Sequence, residues 1–238
     1  MNKKGFFLVI DGTDGSGKAT QIDLMKIALT NLKVSHEIID FPRYEDNLYG
    51  KLVGRYLKGE FGGLDQVSPY LASLAYAGDR MLAEPLMKKW LQQNKLVISN
   101  RYVPSSKAHQ SAKLPKKEQA SFMQWLDELE YRTNGIPREE LVIFLYVPPQ
   151  IGQKLVEQKE SRSYMGGKGK DIHESNLQYQ IDSSKLYLQQ AKKEKHWVVI
   201  KCTKKGQMRS REEIHAEIMQ VLAQKGITPK ETSISYGI

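Results

Sequence analysis

The residues best suited to chemistry lie near the start of the chain, in the run Gly12-Thr13-Asp14-Gly15-Ser16-Gly17-Lys18-Ala19-Thr20. Glycines at this spacing let backbone N–H groups wrap a phosphate chain, and the N-terminus of the helix that the run opens adds positive potential. Lys18 itself reaches the β- and γ-phosphates of a nucleoside triphosphate. The run therefore predicts a triphosphate site built from Gly12, Gly15, Ser16, Gly17, Lys18, Ala19 and Thr20. One position departs from the pattern: Ala19 stands where a hydroxyl would hold Mg²⁺. Thr20 lies roughly 100° further round a helix and cannot simply take over; it is expected on the α-phosphate side. The metal is then expected to be held by phosphate oxygens and water, with no protein ligand. The five histidines (His36, His109, His173, His196, His215) show no metal-ligand spacing.

Such a loop must be held between a strand and a helix, and the flanking residues supply both. Gly5-Phe-Phe-Leu-Val-Ile10 is a continuous apolar run of the kind found in strands buried on both faces. Ile22, Met25, Ala28, Leu29 and Leu32 follow at helical spacing. Further strands are expected at 37–41, 96–98, 140–147 and 196–201, and helices at 47–59, 67–93, 150–160, 174–194 and 210–224. Strand-like and helix-like patterns alternate throughout, which predicts an α/β fold: a five-stranded parallel sheet with helices on both faces. No linker divides the chain, so one domain is expected over 1–225, followed by a polar tail, 226–238, that is expected to fray from Gly226 onward.

Composition narrows the class. With 40% apolar and 26% charged residues, the chain has the make-up of an ordinary soluble globular protein. Its longest apolar runs are strand-sized, too short to span a bilayer. No secretory signal is read at the start, and the single cysteine, Cys202, cannot form a disulfide framework. The expected location is cytoplasmic. A net charge of +9 is compatible with nucleic acid, a membrane surface or a phosphorylated small molecule, and most often marks only a solvated face, so the motifs must decide. The basic clusters Lys192-Lys193 and Lys204-Lys205 lack a nucleic-acid fold signature and read as solvated surface.

A triphosphate loop does not reveal the acceptor. Here the chain resembles the thymidylate kinase family of P-loop nucleoside monophosphate kinases, over about residues 5–224. The resemblance rests on the order of several blocks: Asp11 to Gln21, Phe41-Pro-Arg-Tyr44, Tyr76-Ala-Gly-Asp-Arg80, Asn100-Arg-Tyr-Val-Pro-Ser-Ser-Lys-Ala-His-Gln110, Val147-Pro-Pro149 and Asp171-Ile-His-Glu174. It implies a P-loop NTPase three-layer fold with a mobile lid, and transfer of the ATP γ-phosphate to dTMP, giving dTDP and ADP. It also implies a homodimer packed through the long helices. Arg43 and Arg101 match the positions that grip the acceptor phosphate, a task suited to a planar guanidinium fork. Tyr76 matches the aromatic that stacks on thymine, and Arg80 the donor to its carbonyl. Ser106 and Gln110 match positions along the base edge, and Phe41 belongs to the same acceptor site. Asp14 matches the carboxylate that holds the 3′-hydroxyl. Lys18, Arg101, Arg162 and Asp14 are therefore the expected catalytic set.

Three positions differ from the family pattern. Asn100 replaces the usual Asp beside the metal, Ala19 replaces the loop hydroxyl, and His109 stands where a Tyr commonly crowds the sugar 2′ carbon. Gly15 occupies the loop position that can carry a catalytic cation. That cation is accordingly expected from the lid, about 161–173, where Arg162 ranks ahead of Lys168 and Lys170 because arginine clamps phosphate better. Tyr179 and Glu174 match positions that close over the acceptor. Adenine is expected beside Leu155 or Lys154 and the loop 201–210. Two alternatives stay open at this point: a kinase for dUMP or another pyrimidine monophosphate, and a weakly catalytic nucleotide-binding protein.

Overall fold

The computed structural model of the protein describes residues 5–157 and 176–229. Five strands form one parallel sheet in the order β2-β3-β1-β4-β5. They are β1 (Phe6–Gly12), β2 (His36–Asp40), β3 (Leu96–Asn100), β4 (Leu141–Tyr146) and β5 (Trp197–Lys201). β1 lies at the centre, pairing with β3 on one side and β4 on the other. This is why it is apolar without alternation: both of its faces are covered.

Successive side chains of β1 enter two different cores. Leu8 and Ile10 join Ile22, Met25 and Leu29 of α1 (Lys18–Asn31) and Ile214, Ile218 and Leu222 of α8 (Arg211–Gln224). Phe7 and Val9 join the opposite layer with Ala83 and Met87 of α3 (Pro69–Gln92), Ala108 of α4 (Val103–Ser111) and Tyr187 of α7 (Leu177–Lys193). α2 (Leu48–Leu57) packs on α3 through a smaller cluster that includes Val53, Tyr56 and Ala72. α5 (Lys116–Asp127) runs into a π-helical turn, Glu128–Thr133, and α6 (Pro149–Glu157) follows β4.

Helix ends are set by local chemistry. Ser210 and Glu213 form a reciprocal capping box at the start of α8, and the Asn47 and Asn176 side chains cap α2 and α7. All five expected strands and the expected helices are present, shifted by a few residues at their ends; for 150–160 and 174–194 this holds over the described part.

Three features were not anticipated. α4 is almost wholly buried yet rich in Ser, His and Gln, so it shows no apolar stripe. α5 buries Phe122 and Leu126, four residues apart, a spacing that could have announced it. A two-stranded antiparallel ribbon, β6 (Thr203–Lys204) with β7 (Gln207–Met208), occupies the expected loop after β5. The expectation of a tail frayed from Gly226 is corrected over residues 226–229. The Ile227 N–H donates to the Leu222 carbonyl at 2.9 Å, and Thr228 is buried.

Candidate active site

The first strand delivers the phosphate loop at the carboxyl end of the sheet, where ligands of open α/β folds bind. Gly15 and Gly17 take φ values of +74° and +82°, a region L-residues avoid, so the turn into α1 requires them. A Cβ at Gly15 would also come within 2.7 Å of the Gly152 carbonyl oxygen of α6, and Gly152 in turn packs on the backbone of Asp14. The loop therefore has no room for a side chain at position 15, and a catalytic cation there is excluded sterically. Within the loop, Lys18 Nζ donates to the carbonyls of Gly12 (2.9 Å) and Thr13 (3.2 Å). Thr13 Oγ1 donates to the Val147 carbonyl at 2.9 Å, tying the loop to the end of β4.

Two of the cavities that border this loop gather most of the expected site residues. One is lined by Gly15, Ser16, Gly17, Thr20, Leu155 and Met208–Arg211, among others. Leu155 and residues 208–210, part of the segment expected to border adenine, line this cavity, and Thr20 is on this side. The other cavity is lined by Asp14, Phe41, Tyr76, Arg80, Arg101, Ser106, His109 and Gln110, together with Tyr44, Tyr102 and Ser105. Eight residues expected at an acceptor site, from four separate stretches of chain, meet there. Arg43 is not among the lining residues. Its Nε donates to Asp79 Oδ1 (3.0 Å), its backbone N–H to Asp79 Oδ2 (2.8 Å) and its Nη2 to the Asp79 carbonyl (2.8 Å). Arg162, Lys168, Lys170 and Glu174 lie outside the described residues.

At the floor of the second cavity, Arg101 follows β3 with φ +63°. Its Nη2 donates to Asp14 Oδ1 at 2.9 Å, while Nη1 lies 3.3 Å from His109 Nε2. A guanidinium only donates, so Nε2 must accept and the ring proton sits on Nδ1, 3.2 Å from Tyr179 Oη. Tyr179 Oη donates its own hydrogen bond to the His109 carbonyl (3.0 Å). Burial opposes the Arg101 charge, but Asp14, with Tyr187 and Asp11 behind it, outweighs that cost and holds its pKa above the ordinary value. The second oxygen of Asp14 accepts from Gln180 Nε2 at 2.8 Å. Beneath them Asp11, fully buried, accepts from the Gly12 N–H (2.8 Å) and from Ser105 Oγ, and Tyr187 Oη lies 2.9 Å from its Oδ1. Burial, then Asp11, raise the Tyr187 pKa well above normal, so it remains a neutral donor.

Sequence reasoning missed Asp79, Glu130, Tyr187 and Gln180. Asp79 lay inside a quoted block and could have been read as the partner of Arg43; the others carry no motif of their own.

A model of the family described as "Thymidylate kinase" matches residues 10–218, most of the chain. The chain belongs to the thymidylate kinase family. It is therefore a nucleoside monophosphate kinase, with dTMP as the family's acceptor. The thymidylate kinase of Mycobacterium tuberculosis is 25% identical over 184 residues, covering 77% of this chain and 85% of its own. That of Plasmodium falciparum is 26% identical over 232 residues, covering 96% and 95%. The solved thymidylate kinase of Candida albicans superposes with a TM-score of 0.74 at 19% identity, covering 98% of this chain and 97% of that one, which establishes the shared fold. Thymidylate kinase membership disfavours both alternatives left open by the sequence.

Proposed function

We propose that this chain transfers the γ-phosphoryl group of ATP to dTMP, with ATP in the cavity containing Leu155 and dTMP in the cavity containing Tyr76. The observation carrying this reading is the position of the phosphate loop, which lines both cavities: Asp14 faces one and Gly15 to Gly17 the other. Two nucleotides laid in them meet end to end at Lys18 and Arg101. A dTMP phosphate oxygen attacks the γ-phosphorus and ADP leaves with the bond electrons. Such a transfer has a loose transition state, so the protein's contribution is alignment and charge neutralisation.

Lys18 follows the β- and γ-phosphates. Arg101, oriented by Asp14 and His109, holds the acceptor phosphate beside them, and Arg43, braced by Asp79, flanks that phosphate. Asp14 fixes the 3′-hydroxyl and Tyr76 covers the base. The remaining cation falls to Arg162, ahead of Lys168 and Lys170, which is consistent with the steric block at Gly15.

The residues present suit a metal borne by phosphate rather than by a protein cage. Ala19 has no side-chain oxygen, Asp11 already accepts from Gly12, Ser105 and Tyr187, and Asn100 offers a buried Oδ1 without a hydrogen-bond partner among the described residues. Among the described residues no cluster of three acidic, His or Cys side chains could hold an ion. Mg²⁺ would be carried mainly by ATP and water, with Asn100 able to offer a neutral oxygen, and when bound it would neutralise phosphate charge. The test is ADP release with dTMP, dUMP, TMP and dCMP across Mg²⁺ concentrations. Catalytic turnover should be fastest with dTMP, and a flat response to all four acceptors refutes the proposal.

A homodimer and a cytoplasmic location complete the reading. Along α2 and α3 the side chains of Leu48, Leu71, Leu74, Leu82 and Leu86 are exposed, from 41% for Leu86 to 83% for Leu48, an apolar face that water disfavours. Among the described residues no helix is long and apolar enough to cross a membrane. The double variant Leu71→Asp/Leu82→Asp is expected to run as a monomer in light scattering where the parent runs as a dimer.

A further inference from the structure

Behind the base end of the acceptor cavity lies a carboxylate that no sequence motif singles out. Glu130 is the one buried residue of the π-helical turn, and its side chain has no exposed surface. Glu128 and Arg132 of the same turn pair with each other at the surface, 2.9 Å apart. α5 sends Phe122 and Leu126 inward, and the turn that continues it places Glu130 at the next inward position. Single π turns within helices recur at functional sites.

What Glu130 meets is Arg80, itself only 2% exposed. Arg80 Nε donates at 3.1 Å to both Glu130 oxygens, and Nη2 donates to Glu130 Oε1 and, at 2.8 Å, to Ser106 Oγ. Nη1 has no hydrogen-bond partner among the described residues, and it belongs to a side chain that lines the cavity. Two of the three guanidinium nitrogens are thus committed to the protein and one remains for a ligand. Burial alone would disfavour the Arg80 charge; Glu130 reverses this and keeps the group a permanent donor.

We propose that Glu130 is a positioning residue that sets base selectivity: by occupying Nε and Nη2 it fixes Arg80 Nη1 as a donor toward the cavity. A pyrimidine with a carbonyl oxygen at that edge is accepted, whereas one with an exocyclic amine would set donor against donor. A buried polar group left unpaired in this way discriminates strongly. The inference rests on reading this cavity as the site of the acceptor base.

The experiment compares the parent with Glu130→Gln and Glu130→Asp, measuring kcat and KM for dTMP, dCMP and ATP. In Glu130→Gln an amide donor faces Arg80, which is freed to turn. The dTMP KM is expected to rise about tenfold or more, as for the loss of a charged hydrogen bond. kcat and the ATP KM should change little, and the preference for dTMP over dCMP in kcat/KM should fall by a similar factor. Glu130→Asp keeps the charge on a shorter stem and should give an intermediate loss. A folded Glu130→Gln protein with unchanged dTMP KM and unchanged preference overturns the proposal, as does an equal loss in every parameter. If that variant does not fold, unaltered selectivity in Glu130→Asp overturns it instead. A parent enzyme that ignores dTMP would sink the cavity reading and this inference together, whereas silent variants of an active parent sink this inference alone.

Discussion

Arg101→Ala is expected to lower kcat with dTMP by about a thousandfold, the scale associated with losing a preorganised cation at a transferring phosphoryl group. The reason is the way Arg101 is held. It emerges from the end of β3 in a left-handed conformation, and Asp14, Ser105 and His109 surround its two terminal nitrogens. The side chain is therefore already aimed before any nucleotide arrives, and little reorganisation is needed as charge develops. Arg101→Lys retains a positive charge but cannot reproduce the fork, so it should recover only part of the loss. Single-turnover measurements separate this from weaker binding: the chemical step itself should slow. A normal rate at saturating dTMP in Arg101→Ala would show that acceptor phosphate is held by other groups.

Lys18→Met should cost about a hundredfold or more in kcat while leaving the dTMP KM nearly unchanged. Lys18 Nζ now rests on the carbonyls of Gly12 and Thr13, close to where the β- and γ-phosphates would lie. Exchanging those carbonyls for phosphate oxygens converts ordinary hydrogen bonds into charge-assisted ones. Methionine keeps the apolar stem but brings no charge, so the fold should survive. The check is steady-state kinetics with each substrate varied in turn, beside thermal unfolding of both proteins. Equal losses in the dTMP and ATP KM would point instead to a collapsed loop.

The two arginines that line the cavity proposed for the acceptor illustrate different uses of one side chain. Arg101 has its carboxylate partner, Asp14, on the cavity wall with it, and Asp14 is itself shared with Gln180 of α7. Arg80 has its partner, Glu130, behind it, away from solvent. A buried ion pair of the second kind contributes little net stability relative to apolar packing, but removing one member is costly. Its presence beside this cavity fits the proposed role in aiming a donor better than one in holding the fold.

How far the sequence reaches can be followed residue by residue. The phosphate loop, β1 and α1 were legible because each is local: glycine conformations, a doubly buried apolar run and a helical period act within a few residues of one another. The residues expected to bind the acceptor, Tyr76, Arg80, Arg101, Ser106, His109 and Gln110, were read through the order of recognised blocks, and one cavity is lined by all six. α4 escaped because its inward face is built from Ser, His and Gln, which have no apolar period, although it carries Ser105, Ser106, His109 and Gln110 into the site.

Pairings across distance were decided only by tertiary structure. Glu130 meets Arg80 from 50 positions away, and Tyr187 meets Asp11 from 176. Both are buried polar contacts, whose strength comes from exclusion of water and exact placement of donors, and neither condition is written in neighbouring residues. By itself the sequence determined the sheet's central strand, the phosphate loop and the chemistry available to it. Only the folded chain decided which carboxylate restrains which arginine, and therefore which donor remains for a ligand.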